Sequence, residues 1–135
     1  MKVFISWSGE NSKHIAHALR DWLPMVLQAV RPWMSSYDIE KGARWHSEMT
    51  FQLQQSCFGI LCLTPDNLSA PWVLFEAGAL SKAIDGSRVV PYLYGFDPSE
   101  LKGPLVQFQA AIANKEDTKR LIFSLNRAIE EDRLA

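Results

Sequence analysis

Short apolar runs alternate along this chain with segments in which apolar residues recur at helical spacing. Four of the runs predict strands of a sheet: Val3–Ser6, Arg31–Met34, Phe58–Leu63 and Val89–Tyr94. The segment Phe108–Ala111 predicts a short fifth strand. Because strands alternate with helices, the pattern is typical of an α/β domain in which a parallel sheet is flanked by helices.

Prolines refine this prediction at two positions. Pro91 lacks the N–H group that a central strand donates, so the fourth strand is expected toward a sheet edge or with a bulge. Pro24 is expected to end or kink the first helix, which begins near Ser12. Further helices are predicted to begin near Trp45, Pro71 and Lys115.

One charge interrupts an otherwise apolar run, since Glu76 is the only ionisable residue between Pro71 and Leu80. Trp72 and Glu76 are four residues apart and would share one face of a helix. An indole beside a carboxylate suits a ligand with an aromatic ring and a polar sugar. The same pattern also fits a helix whose single glutamate points to water, so the run alone leaves both interpretations open.

In a parallel α/β sheet, ligands bind outside the carboxyl ends of the strands. Three loops are predicted to meet there, at residues 6–9, 35–45 and 64–71. The first contains Ser6, Trp7 and Ser8, which suit either a ligand contact or a simple turn. The second is longer than a connection needs, which is typical of functional or mobile loops. The third leads to the helix that carries Glu76.

The overall composition disfavours several partners. The chain has 135 residues and a net charge of −1, which provides no electrostatic footprint for nucleic acid or an anionic membrane. Its cysteines, Cys57 and Cys62, lie near or within an apolar run and predict reduced thiols. No apolar run approaches the roughly 18 residues of a membrane span, and no signal peptide precedes the first strand. We therefore expect one soluble, cytoplasmic domain.

Several kinds of site are not predicted. His14 and His17 lie three apart on a helix, but without a neighbouring acidic or cysteine ligand they do not predict a metal site. Glycine-rich phosphate loops and the Gly-x-Ser-x-Gly elbow do not occur. What remains is a carboxylate with aromatic and hydroxyl groups, which suits cleavage of an N-glycosidic bond. The nicotinamide of NAD is already cationic and leaves without a strong general acid.

The chain resembles the Toll/interleukin-1 receptor (TIR) domains over essentially its whole length, particularly the bacterial enzymatic members. Val3–Ser6 is similar to the first-strand motif of the family, and residues 35–45 resemble its BB loop with an internal glycine. Leu63-Thr64-Pro65 and Trp72-x-x-x-Glu76 resemble its turn and following helix. The resemblance implies a flavodoxin-like three-layer fold with a central, mostly parallel five-stranded sheet flanked by helices.

The resemblance also implies roles for individual residues. Glu76 takes the place of the catalytic glutamate, and Trp7 falls where the family often places an aromatic that stacks on the nucleotide. The expected substrate-binding residues are Ser6, Trp7, Ser8, Ser36, Asp38, Trp45 and Trp72. The expected BB-loop residues for assembly are Tyr37, Ile39, Glu40, Lys41, Gly42, Ala43 and Arg44. Many members carry an acidic residue at the end of the second strand, whereas this chain reaches its first acid only at Asp38.

The function implied by the resemblance is that of an NAD glycohydrolase, which releases nicotinamide and leaves ADP-ribose or a cyclic isomer. NAD would be the substrate, with no cofactor and no metal. Activation by self-association, a role in bacterial antiphage defence, and a sensor domain after residue 135 or a separate sensor partner are further expectations. Two alternatives remain: a non-catalytic TIR adaptor that acts through TIR–TIR contact, and, more distantly, an enzyme resembling nucleoside 2-deoxyribosyltransferases.

Overall fold

A computed structural model describes residues 1–34, 51–68, 78–79 and 82–134 of the chain. The described strands are β1 (Lys2–Ser6), β2 (Arg31–Met34), β3 (Phe58–Leu63), β4 (Val89–Leu93) and β5 (Ala111–Ile112). They form one sheet in the order β2-β1-β3-β4-β5, and each neighbouring pair is parallel. This is the strand order of flavodoxin-like proteins, the fold that the resemblance to TIR domains implies.

One face of the sheet is covered by two long helices, α1 (Glu10–Val26) and α2 (Lys115–Leu134). Leu23 of α1 and Leu125 of α2 are fully buried in the same apolar cluster as Ile60 of β3. Apolar residues three or four apart put one stripe of each helix against the sheet, which is why these segments are helical here. Both helices confirm the predicted periodicity.

The ends of these helices follow from particular residues. Pro24 lies in the last turn of α1, and the helix ends at Val26, so the predicted effect of this proline is confirmed. At the start of α2, the Asn114 side chain accepts a hydrogen bond from the Asp117 backbone N–H at 2.8 Å. This contact pairs an N–H group that the helix itself leaves free.

The opposite face of the sheet carries a second apolar cluster. Phe4 of β1 and Leu61 of β3 belong to it, together with Leu53 from the helical residues 51–55 and Leu105 from the 3₁₀ turn Gly103–Gln107. Because both faces are covered, β3 is buried at all six positions and its sequence is a continuous apolar run.

Pro91 is accommodated differently from the prediction. β4 lies one place in from the sheet edge, and its pairing with β3 is unbroken from Val89 to Leu93, so neither an edge position nor a bulge is found there. Leu93 accepts a hydrogen bond from Ala113 on the β5 side. Backbone groups two residues apart point the same way, so Pro91 also faces that side, where β5 pairs only with Tyr92 and Leu93. Its missing N–H therefore interrupts no pairing between these strands.

The fifth strand is shorter and later than predicted. The sequence predicts Phe108–Ala111, whereas β5 consists of Ala111 and Ile112. Phe108 instead follows the 3₁₀ turn and is buried, 5% exposed, in the cluster opposite α1 and α2. Its apolar side chain is buried by packing against the face of the sheet opposite α1 and α2, and not as part of a strand.

Candidate functional site

The carboxyl ends of β1 and β3 bring two of the three predicted loops together. β1 and β3 are neighbours, and Ser6 is paired with Leu61 at the end of their register. Residues 6–9 and 64–68 therefore leave the sheet side by side. This is the point where the strand order changes direction, and such a switch point is where open α/β sheets bind ligands.

The turn after β3 is closed by its own side chains. The Thr64 N–H donates to Asn67 Oδ1 at 2.8 Å, and the N–H groups of Asn67 and Leu68 donate to the Thr64 carbonyl at 3.2 and 3.1 Å. Thr64 and Asn67 are 1% and 4% exposed. The predicted turn is confirmed, and its asparagine is a buried structural group.

Asp66 is the ionised group of this turn. The Thr64 hydroxyl donates to its carboxylate and, with smaller contributions from the Asp66 backbone N–H and the Asn11 side chain, holds the pKa of Asp66 below its ordinary value. Desolvation opposes the shift. A negative charge therefore stands close to the start of α1, where the helix dipole favours it.

Gly9 makes this approach possible. It caps α1 with φ 84° and ψ 159°, a backbone conformation that is essentially restricted to glycine. A Cβ built at Gly9 would lie 3.5 Å from Asp66 Oδ2. The first loop therefore turns into α1 with its backbone close to the carboxylate of the third loop.

Two further side chains join the loops. The Ser8 N–H donates to Ser12 Oγ at 3.2 Å, and Ser12 Oγ donates to the Cys62 carbonyl at 2.7 Å. Asn67 Nδ2 donates to the Ser8 carbonyl at 2.9 Å and to the Cys62 carbonyl at 3.3 Å. Neither Ser12 nor Asn67 is predicted from the sequence to be a site residue. A serine in the first turn of a helix and an asparagine in a turn were the only signals.

Trp7 lies mainly in the core. It is 5% exposed and belongs to the cluster that contains Val3 and Ile5, because alternate residues of a strand share one face. Lys13 Nζ lies 5.5 Å from the centroid of its ring. Trp7 Nε1 is buried without an acceptor in the described parts of the chain. Ser6 is fully buried as well, and the roles of both residues in substrate binding stay predictions.

The other predicted site residues lie outside the described residues. They are the catalytic candidate Glu76, the substrate-binding candidates Ser36, Asp38, Trp45 and Trp72, and the BB-loop residues Tyr37, Ile39, Glu40, Lys41, Gly42, Ala43 and Arg44. The described part of the candidate site is thus the rim formed by residues 6–9, the start of α1 and residues 64–68.

The remaining candidate groups are accounted for by simple contacts. His14 Nε2 lies 3.9 Å from the Glu10 carboxylate, and both side chains are exposed. Cys57 and Cys62 are free thiols, as predicted, and burial raises the pKa of the Cys62 thiol. Within residues 1–34, 51–68, 78–79 and 82–134, no cluster of His, Cys, Asp and Glu could hold a metal ion. None of the helices described here is long and apolar enough to cross a membrane.

The fold is similar to that of several solved structures. The TIR domains of the activated Roq1 resistosome, which recognises the pathogen effector XopQ, match 94% of this chain and 82% of theirs, with 20% identity and a TM-score of 0.55. A metazoan TIR-STING receptor from C. gigas in complex with 2',3'-cGAMP matches 90% of this chain at 20% identity, with a TM-score of 0.66. A second structure of that receptor gives 22% identity, 90% coverage and a TM-score of 0.63.

These neighbours differ in length from the chain. It spans 38% and 39% of the two TIR-STING chains, so only part of that receptor is comparable. The comparison with curated proteins gives no match. The sequence itself matches the family described as "TIR domain" over residues 3–125, from β1 into α2, including both loops of the rim. Because this match covers nearly the whole chain and the solved TIR structures share its fold, the protein belongs to the TIR domain family.

Proposed function

We propose that this TIR domain is an NAD glycohydrolase that cleaves the bond between nicotinamide and ribose, with Glu76 as the catalytic carboxylate. The observation that carries the proposal is the junction of the two rim loops by Asn67 at the switch point of the sheet. The chain continues from this junction into the Trp72-x-x-x-Glu76 segment. Along the sequence, Glu76 therefore follows directly from the edge of the sheet where α/β folds bind ligands, which supports the proposal.

The proposed reaction needs one carboxylate and a closed environment. As the bond from the ribose C1′ to the nicotinamide nitrogen breaks, the bonding electrons go to the nitrogen and neutralise its positive charge. The ribose becomes oxocarbenium-like, and a nearby carboxylate stabilises this charge most strongly where water is excluded. Attack by water gives ADP-ribose, and attack by a group of the same molecule gives a cyclic isomer. NAD is the substrate, and the proposal includes no cofactor and no metal.

The remaining substrate contacts are assigned by loop. Ser6, Trp7 and Ser8 border the site from β1, while Ser36, Asp38, Trp45 and Trp72 complete it in the proposal. Because the Trp7 ring is buried, it is better placed to support the first loop from within the core than to stack on a bound nucleotide. The Ser8 N–H and carbonyl are already paired with Ser12 and Asn67, so the side chain of Ser8 is the proposed ligand contact of this loop.

Self-association is the proposed activator. One similar structure is an assembly, the activated Roq1 resistosome, which supports TIR–TIR contact as a mode of action. The BB loop, residues 35–45, would complete the site of a neighbouring copy. In the cell, a C-terminal sensor domain or a separate partner would cluster the chains in the cytoplasm, as part of bacterial antiphage defence. Neither nucleic acid nor a membrane is a proposed partner of this domain.

The experiment is to cluster the protein artificially, add NAD and measure released nicotinamide. We expect turnover by the wild type and by Glu130→Gln, a matched control whose exposed carboxylate lies on α2, 3.3 Å from Arg133. We expect none by Glu76→Gln. Turnover by Glu76→Gln at the wild-type rate would remove Glu76 from the mechanism. A clustered wild type that cleaves no NAD would instead support the adaptor function.

A mixing experiment tests the shared site. In the proposal, Arg44→Glu alters the BB loop and is inactive but retains Glu76, whereas Glu76→Gln retains an intact BB loop. The two variants should therefore regain activity when they are clustered together. If each site belonged to a single chain, the mixture would be as inactive as either variant alone.

A further inference from the structure

The sheet opens between β1 and β3 where their direct pairing stops. Ser6 is the last residue of β1 in register, opposite Leu61, so Trp7 and Cys62 would form the next pair. In this sheet, the N–H of the residue that follows a paired position donates to the carbonyl of its partner. Leu63 pairs with Leu93, for example, and the Tyr94 N–H donates to the Leu63 carbonyl at 3.0 Å. By the same rule, the Ser8 N–H would donate directly to the Cys62 carbonyl.

A side-chain hydroxyl occupies the place of that direct bond. The Ser8 N–H donates to Ser12 Oγ at 3.2 Å, and the same oxygen donates to the Cys62 carbonyl at 2.7 Å. A serine hydroxyl can accept and donate at once, so it bridges the two strands without leaving either group unpaired. Ser12 is fully buried, which keeps the bridge away from water.

The amide of Asn67 forms a second bridge beside the first. Its Nδ2 donates to the Ser8 carbonyl at 2.9 Å and to the Cys62 carbonyl at 3.3 Å, while its Oδ1 accepts from the Thr64 N–H at 2.8 Å. Both peptide groups that flank Ser8 are thereby held, one by each bridge. Buried hydrogen bonds of this kind fix geometry because few other partners are available.

We propose that Ser12 and Asn67 are positioning residues that hold the carboxyl ends of β1 and β3 apart. They thereby set the width of the gap between residues 6–9 and 64–68, the mouth in which NAD is to bind. The inference rests on the proposed function for the identity of the ligand. Its structural part, a separation maintained by one hydroxyl and one amide, rests only on the described contacts. Neither side chain needs to touch the reacting atoms.

Three variants separate this role from general stability. Ser12→Ala removes the hydroxyl bridge. Asn67→Asp keeps the acceptor for the Thr64 N–H but loses both donors and places a carboxylate against two carbonyl oxygens. Ser56→Ala is the matched control, since Ser56 is also buried and donates to the Gln52 carbonyl at 2.7 Å, but it lies before β3 at the opposite end of the strand.

The first readout is steady-state NAD cleavage by the clustered full chain. With the width of the mouth altered, KM is expected to change about tenfold in Ser12→Ala and Asn67→Asp, with kcat changed by less. Ser56→Ala is expected to keep both constants, although its melting temperature falls similarly. Unchanged KM in the two mouth variants, or the same change in Ser56→Ala, would overturn the inference.

The second readout is hydrogen exchange of the Ser8 amide, which requires no catalysis. Ser12→Ala is expected to change the protection of this amide while that of Tyr94, which donates directly to β3, stays the same. If the wild type cleaves no NAD, the proposed function fails, and the exchange of Ser8 alone decides the structural part. Protection at Ser8 that is identical in wild type and Ser12→Ala would refute it.

Discussion

Replacing Gly9 with alanine tests whether the entry to α1 has the backbone conformation described here. Gly9 has φ 84° and ψ 159°, a region that residues with a Cβ essentially avoid. The added methyl group itself has room, because its nearest neighbour would be Asp66 Oδ2 at 3.5 Å, an ordinary contact. The expected effect of Gly9→Ala therefore comes from the backbone and not from a clash.

The magnitude follows from two opposing contributions. Holding alanine in this region costs about 1–3 kcal/mol, while its more restricted unfolded chain returns about 0.4–1 kcal/mol. The net loss is about 1–2 kcal/mol of unfolding free energy, and for a domain of this size it lowers the melting temperature by about 3–8 °C.

The assay is urea unfolding followed by circular dichroism, with Gly86→Ala as the matched control. Gly86 lies in a 3₁₀ turn without a positive φ, and a Cβ there would meet nothing within 4 Å. We expect Gly86→Ala to be as stable as wild type or slightly more stable. If Gly9→Ala is also as stable as wild type, the positive φ at the start of α1 is wrong, and with it the close approach of Asp66.

Two further predictions concern charged groups. The pKa of Asp66 is lowered in the folded chain, mainly by the Thr64 hydroxyl. The ionised carboxylate therefore stabilises the fold above the unfolded pKa of about 3.9, and this stabilisation is lost as the pH falls through the lower, folded pKa. The difference in unfolding free energy between wild type and Asp66→Asn should therefore shrink from about pH 6 to about pH 3; a constant difference would contradict the shift. Arg88 lies 3.0 Å from the carboxylates of both Glu131 and Asp132 and ties a 3₁₀ turn to α2. Arg88→Gln should cost about 1 kcal/mol at low ionic strength and less in molar salt, measured by urea unfolding; a loss that salt does not reduce would exclude ion pairing as its cause.

The strands and helices of the layers could be predicted because they depend on local patterns, whereas the flavodoxin-like arrangement of the sheet was implied by the family resemblance. The continuous apolar run Phe58–Leu63 indicates a strand covered on both faces, and β3 is that strand. β5 could not be placed correctly, because Phe108 is apolar for a reason the local pattern does not distinguish. It follows a 3₁₀ turn and is buried against the face of the sheet opposite α1 and α2, instead of pairing with β4.

The candidate site was predictable as a location but not as a set of contacts. The switch point between β1 and β3 follows from the strand order, and the first and third loops do meet there. The contact between Asn67 and Ser8 spans 59 positions of sequence, so no local pattern contains it. Burial of Trp7, in contrast, follows from its alternation with Val3 and Ile5 along the strand. The family resemblance instead implied that Trp7 stacks on the nucleotide.

Glu76 is proposed to carry NAD cleavage in this TIR domain, and the decisive measurement is the nicotinamide released by the clustered chain. We expect nicotinamide to form in step with the loss of NAD in wild type and in Glu130→Gln, and none to form in a folded Glu76→Gln. Release by Glu76→Gln that equals wild type, or a clustered wild type that leaves NAD intact, would contradict it.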